Sequence, residues 1–298
     1  LGSAQMSLGY LDSALTTMRA GLETRLRCEI KADRRIGDFH CEIAWLLEYE
    51  GDLDGARASL DDALREYEAR KGPRHPAMSM GLQRAGLFEM RSGDISRAID
   101  LTQQALEIAE TVPGINPANL ALQRTNLGIQ LTEVGEPVRA NRLLREALAV
   151  YQEQLGLDHR ETLWAEVALA TTESALGDTA EAAARFRSVC RRFEAGESLT
   201  TTGALTDARA GLAEILRDSD PRAALDLIEA AEAAELAEPE CNWKQVAEAQ
   251  RIRMSLLADL GDRQAVVRQD SALTRTLDEH DLRGTDIEAW ALAAGGLA

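Results

Sequence analysis

The chain has 298 residues, of which 45% are hydrophobic, 28% charged and only 4% aromatic, with 7 prolines. So few aromatic residues and so little turn punctuation exclude a β-sandwich or barrel, and no uninterrupted apolar run approaches the ~18 residues that span a bilayer. A net charge of −17 excludes a nucleic-acid binder, which needs a concentrated basic face for phosphate.

Apolar residues recur at helical spacing throughout, as in Leu143, Leu144, Ala147, Leu148 and Tyr151. Residues 1–8 read as the tail of one helix and 10–30 as the next. Helix pairs are then predicted at 34–50 with 53–70, 76–92 with 95–110, 117–134 with 137–154 and 159–176 with 179–194. Two more come at 201–217 with 220–236 and 241–260 with 263–279, and residues 285–297 read as a closing helix. The corresponding repeat units are about 1–30, 34–70, 76–110, 117–154, 159–194, 201–236 and 241–279.

The boundaries come from one period. Gly51, Gly93, Gly135 and Gly177 stand 42 residues apart; Gly261 comes after two such steps, with Ser219 at the skipped place and Gly9 one step before Gly51. Glycine ends a helix because it enters the left-handed region without a Cβ penalty. An Asp or Glu stands directly after each of the five later glycines, placed to cap or charge the next helix start. Pro137 and Pro221 lie in the first turn beyond it, where a missing N–H costs nothing. A small-residue column, Ala14, Ala56, Ala98, Ala140, Ala182 and Ala224, ends in Val266. It lets two helix backbones approach. A parallel column reads Gly21, Ala63, Ala105, Ala147, Val189, Ala231 and Leu273, and an aromatic one Tyr67, Tyr151 and Phe193, with Ala109 between. Gly72, Gly114 and Gly156 mark turns between pairs. One helix pair cannot bury its apolar face alone; stacked pairs share a continuous core, so residues 1–298 are expected to form one elongated repeat domain.

These residues resemble tetratricopeptide repeats of the 42-residue, kinesin-light-chain kind. The block Ala147-Leu148-Ala149-Val150-Tyr151 leading to Leu155-Gly156-Leu157-Asp158-His159 is similar to that family's helix-and-turn signature, as is Thr125-Asn126-Leu127-Gly128 within a first helix. The resemblance is most specific over residues 37–195. It implies an all-α α-solenoid, a right-handed superhelix of about seven antiparallel helix pairs plus a C-terminal capping helix. It also implies that the first helix of each pair lines a concave groove for extended peptides or helices. Carried over by phase, the candidate partner-binding residues are Trp45, Tyr49, Arg84, Arg91, Asn126, Trp164, Arg209, Arg217 and Arg251. Asn126 is the expected backbone-holding amide, since an amide both donates and accepts. Arg84, Arg91, Arg209 and Arg217 either hold carboxylates of a partner or pair with nearby Asp and Glu. Trp45 and Trp164 are either exposed anchors or packing between pairs.

Catalytic patterns are not found. The sequence has no G-x-x-x-x-G-K-[ST], G-x-S-x-G or H-E-x-x-H. His40 and Cys41 are neighbours, but neighbours on a helix point about 100° apart and do not form a dyad. His40, His75, His159 and His280 are too scattered for a metal site, and His75 and His159, two periods apart, read as turn residues. Asp52-Leu53-Asp54-Gly55 opens like a calcium loop but has Ala63 where the closing Glu belongs. Cys28, Cys41, Cys190 and Cys241 read as buried thiols in a reducing compartment.

The first residues carry neither an initiator Met nor a basic segment leading into an apolar stretch. A chain excised from a longer protein, without a signal peptide, is therefore expected. Lysine is confined to Lys31, Lys71 and Lys244 against many arginines, as in a GC-rich bacterial coding sequence. The expectation is a cytoplasmic, non-enzymatic scaffold for a protein or peptide, one of basic character because the chain is acidic. No cofactor, metal, nucleic acid or membrane is expected. It would be the regulatory region of a larger bacterial signalling protein. Two alternatives stand beside it: the sensor module of a multidomain kinase, protease or NTPase, and a self-associating structural module.

Overall fold

A computed structural model of the chain describes residues 11–27, 36–194, 202–237 and 241–280. The predicted helices at 1–8 and 285–297 lie outside the described residues. Among those described, every element is an α-helix: α1 (Leu11–Arg27), α2 (Ile36–Tyr49), α3 (Leu53–Lys71), α4 (Pro76–Arg91), α5 (Ile95–Thr111), α6 (Pro117–Glu133), α7 (Pro137–Leu155), α8 (Arg160–Ala175), α9 (Thr179–Glu194), α10 (Thr202–Leu216), α11 (Pro221–Leu236), α12 (Trp243–Asp259) and α13 (Arg263–Glu279). Predicted and observed ends agree within three residues, because the punctuation is chemical. The chain divides into two compact units, Leu1–Ala147 and Leu148–Ala298.

In the first unit α2 packs on α3, α4 on α5, and α6 on α5. The phased glycines end the first helices as expected. Gly51 has φ +83° and Gly93 φ +88°, so the next amide can reach back five residues: Asp52 N donates to Leu47 O at 2.9 Å and Asp94 N to Glu89 O at 2.9 Å. The same aspartates then cap the next helices. Asp52 Oδ1 accepts from Gly55 N at 2.9 Å and Asp94 Oδ1 from Arg97 N at 3.0 Å. Each such cap is worth about 1 kcal/mol.

The small column lies at the helix contacts: Ala56, Ala98 and Ala140 have no exposed surface. Gly86 of α4 belongs to the same contact, since a Cβ there would stand 2.5 Å from Thr102 Oγ1 and 3.2 Å from the Ala98 carbonyl. Phe88, Leu46 and Leu131 fill the space around these contacts and are almost wholly buried; each such side chain contributes roughly 1.5–3 kcal/mol. Polar staples join successive helices. Ser79 Oγ donates to Ala105 O at 2.8 Å and accepts from Gln123 Nε2 at 2.8 Å, while Gln130 Nε2 donates to Thr102 Oγ1 at 3.1 Å.

In the second unit α8 packs on α9, α10 on α9 and α11, and α12 on α11 and α13. Ala182 and Ala224 are fully buried, as are Val189, Ala231 and Leu273 of the parallel column. Where Ser219 replaces glycine the turn changes. Asp220 N reaches back only four residues, to Leu216 O at 2.7 Å, and Asp220 takes φ −149°. Its side chain still caps α11, accepting from Ala223 N at 3.1 Å. The two matched histidines are turn residues as predicted: His75 Nδ1 accepts from Ala77 N at 3.1 Å in the first unit, and His159 Nδ1 from Glu161 N at 3.4 Å in the second. Cys41 and Cys190 are buried thiols and Cys241 is half-buried; Cys28 lies outside the described residues.

Candidate functional site

Two first helices of the first unit, α2 and α4, frame a groove with a cavity of about 400 Å³. Residues spaced three and four apart along each helix share the lining: Cys41, Trp45 and Glu48 from α2, and Arg84, Phe88 and Arg91 from α4. Trp45 and Tyr49 are 45% and 68% exposed. Their rings lie 6.1 Å apart and tilted by 32°. Rings this exposed leave much of their apolar surface in water, which is costly unless a partner covers it.

Tyr67 of α3 sets the distance between the two helices. Its ring is wedged between Gly37 of α2 and Gly81 of α4, where added Cβ atoms would come within 2.5 Å and 2.9 Å of it. The Tyr67 hydroxyl donates to Asp38 Oδ1 at 2.6 Å and lies 3.8 Å from Cys41 Sγ. Burial raises the pKa of this hydroxyl, helped by Cys41 and Asp38, so it stays a donor. Burial likewise pushes the Cys41 thiol up, against the opposing pull of Arg84. A buried thiol kept protonated is a poor nucleophile. Burial also raises the Glu42 carboxyl, with Arg84 opposing. At the far edge Arg91 grips Glu48 bidentately, at 2.5 and 2.7 Å.

Other predicted contact residues sit differently. Asn126 is only 2% exposed, and its Nδ2 has no hydrogen-bond partner among the described residues. Buried to that extent, its amide cannot meet a peptide on the surface of α6 as the helix stands. In the second unit Trp164 is half-buried. Arg209 donates to Ala230 O at 2.9 Å. Arg217 donates to Asp259 Oδ2 and Ser255 Oγ, both at 2.6 Å, and Arg251 pairs with Glu248 on its own helix. Arg217 thus takes the second of the two roles open to it in sequence and pairs with an acid of its own chain, as does Arg251, whereas Arg209 is held by a backbone carbonyl.

Sequence reasoning missed several residues. Gly37 and Gly81 make the slot for Tyr67, and a glycine inside a helical stretch was the available signal. Glu89, 2% exposed, is held by Arg57 at 2.7 Å and Arg97 at 3.1 Å. Glu173, with no exposed surface, is held by Arg185 at 2.8 Å. Among the described residues no group of three His, Cys, Asp or Glu is placed to hold a metal ion, and no helix is long and apolar enough to cross a membrane.

Comparison with known proteins agrees with this architecture. The tetratricopeptide-repeat family model matches residues 118–195. Over residues 118–195 the sequence is that of tetratricopeptide repeats. Among solved structures, apo RapI is 16% identical with a TM-score of 0.70, covering 93% of this chain and 96% of RapI. The Rap conjugation gene regulator of plasmid pLS20, in complex with the Phr* peptide, is 13% identical with a TM-score of 0.65, covering 95% of this chain and 78% of the regulator. The kinesin-light-chain TPR-like repeats of Podosopora anserina are 18% identical with a TM-score of 0.55, covering 66% of this chain and 92% of theirs. At these identities the likeness is one of fold. No curated protein matches the sequence.

Proposed function

We propose that the chain is a protein-interaction scaffold that binds a peptide or helix of its partner along its first helices, centred on the groove between α2 and α4. The observation that carries this reading is the pair of exposed rings, Trp45 and Tyr49, at the edge of an apolar cavity of about 400 Å³. A bulky apolar side chain of the partner fills the cavity and covers the rings, which is how interface anchors work. Glu42 lines one end of the groove beside Arg84, with Asp38 near both, and Arg91 is already neutralised by Glu48 at the other, so carboxylates outnumber guanidinium groups there. That balance favours a basic residue beside the apolar anchor, consistent with the −17 net charge. The fold likeness to a Rap regulator seen with a peptide supports the same class of partner. Residues 1–298 then act as one repeat domain, the regulatory region of a larger bacterial signalling protein in the cytoplasm, with no catalysis of its own.

Capture from the source lysate tests this, with the wild-type chain and a Trp45→Ala/Arg84→Ala variant as baits. Both residues are exposed, and circular dichroism of the variant checks that it keeps its fold. A partner held by the first and lost by the second supports the groove. Equal recovery on both baits moves binding elsewhere.

A further inference from the structure

The second unit has another recess, on a second-helix face that the repeat phase does not nominate. Arg187 and Arg191 stand one turn apart on α9, both exposed. They border a cavity of about 510 Å³ whose apolar part is Ala184, Cys190, Leu212 of α10 and Leu227 of α11. Cys190 and Leu212 are buried and form its floor, whereas Leu227 is half-buried at its wall.

The rim of this recess carries unspent charge. Arg217 and Arg251 in the same unit are neutralised by Asp259 and Glu248. On α9 itself, Arg185 and Arg192 are neutralised by Glu173 and Glu166. Arg191 Nε reaches only the Arg187 carbonyl, at 3.4 Å, and Arg187 meets no acceptor among the described residues. Two guanidinium groups without carboxylates among the described residues, in a chain of net charge −17, make a local basic spot over an apolar floor.

We propose that this recess is a second docking site, and that its occupant is an acidic amphipathic helix of a protein partner. Side chains one turn apart on a helix have Cβ atoms about 5–6 Å apart. Two carboxylates at that spacing on the incoming helix therefore match Arg187 and Arg191 in turn, each able to accept a two-pronged hydrogen bond. A leucine between them enters the recess against Leu212 and Leu227. This is helix-in-groove recognition with the charge pattern reversed from that of the α2–α4 groove. The proposal does not depend on that groove.

The test is fluorescence anisotropy with the full chain and a labelled, helix-stabilised probe peptide. The probe carries a leucine stripe flanked by glutamates one turn apart; a control peptide has glutamine in their place. Binding of the glutamate probe is expected to weaken at least about tenfold in Arg187→Glu/Arg191→Glu, the scale expected when an interfacial charge pair is broken. It should weaken similarly when glutamine replaces the peptide's glutamates, and should be unchanged in Trp45→Ala. The glutamine arm needs no protein variant, so a folding defect cannot hide the answer. Equal binding of the two peptides, or no binding of the glutamate probe, overturns the proposal. So does a wild-type dimer in sedimentation that the double variant dissociates, because the recess would then belong to a second copy of the chain.

Discussion

The first helices of the two units carry similar residues and use them differently. On α2 and α4, Trp45 and Tyr49 keep about half or more of their surface in water, and Arg84 stands exposed beside a thiol rather than in an ion pair. On α10 and α12, Arg209 and Arg251 are bonded to Ala230 O and Glu248, and Arg217, just past the end of α10, to Asp259. The chain has 50 acidic residues against 33 basic ones, so many arginines on helix faces find a carboxylate of their own chain. In such a chain an inward arginine is weak evidence of a ligand, and an exposed aromatic pair is stronger evidence.

The largest expected effect is on stability and separates buried pairing from exposed pairing. Arg185→Ala removes the guanidinium that stands 2.8 Å from the Glu173 carboxylate, in a site with no exposed surface. A loss on the order of 3 kcal/mol is expected. Arg91→Ala removes an equally well-formed pair whose arginine is half-exposed, and should cost about 0–1 kcal/mol. Urea unfolding of the two variants checks the contrast; equal losses would break it.

The next effect is on binding. Trp45→Ala should weaken a captured partner by about 2 kcal/mol, or roughly thirtyfold, as removal of an interface anchor does. Arg217→Ala should leave affinity within about twofold, because its guanidinium is already occupied by Asp259 and Ser255. Titration calorimetry with the partner's binding segment measures both.

The smallest is a pH effect at Asp207. The side chain keeps an exposed edge, but burial of its carboxyl pushes the pKa up to about 6, with Gln245 opposing and Glu235 reinforcing. The folded chain thus holds this proton more tightly than the unfolded chain, whose Asp titrates near ~3.9. Stability is expected to fall as pH rises from about 4 through 6 and then to level off. Asp207→Asn should flatten that slope, stabilising the chain at about pH 7 and changing little below about pH 4. Thermal melts across this range measure it.

The helices were legible because their ends are written in residues with one physical meaning. Gly51 and Gly93 adopt the left-handed turn, and Asp52 and Asp94 cap the helices that begin there. Even Ser219 alters only the turn, since Asp220 still caps α11. The groove was legible as a surface, and Trp45, Tyr49, Arg84 and Arg91 do meet there or at its edge. Internal pairing stood in the sequence as one of two roles for the arginines, and the period held a clue that decides between them. Arg217 and Asp259 are 42 residues apart, and Arg91 and Glu48 are 43 apart, so each arginine finds its acid on the equivalent helix one repeat away. The burial of Asn126 was hidden for another reason. It depends on the rotation of α6 about its axis, which the staples from Gln123 to Ser79 and from Gln130 to Thr102 help to hold. Those partners are 44 and 28 residues away, and no local pattern announces them.

The most direct test of the α2–α4 groove is selection from a random-peptide display library. The selection would run in parallel on the wild-type chain, Trp45→Ala/Arg84→Ala and Arg217→Ala. Peptides with a bulky apolar residue beside Lys or Arg should be enriched on the wild type and on Arg217→Ala, and lost on the double variant. The same peptides enriched equally on all three would contradict binding in this groove.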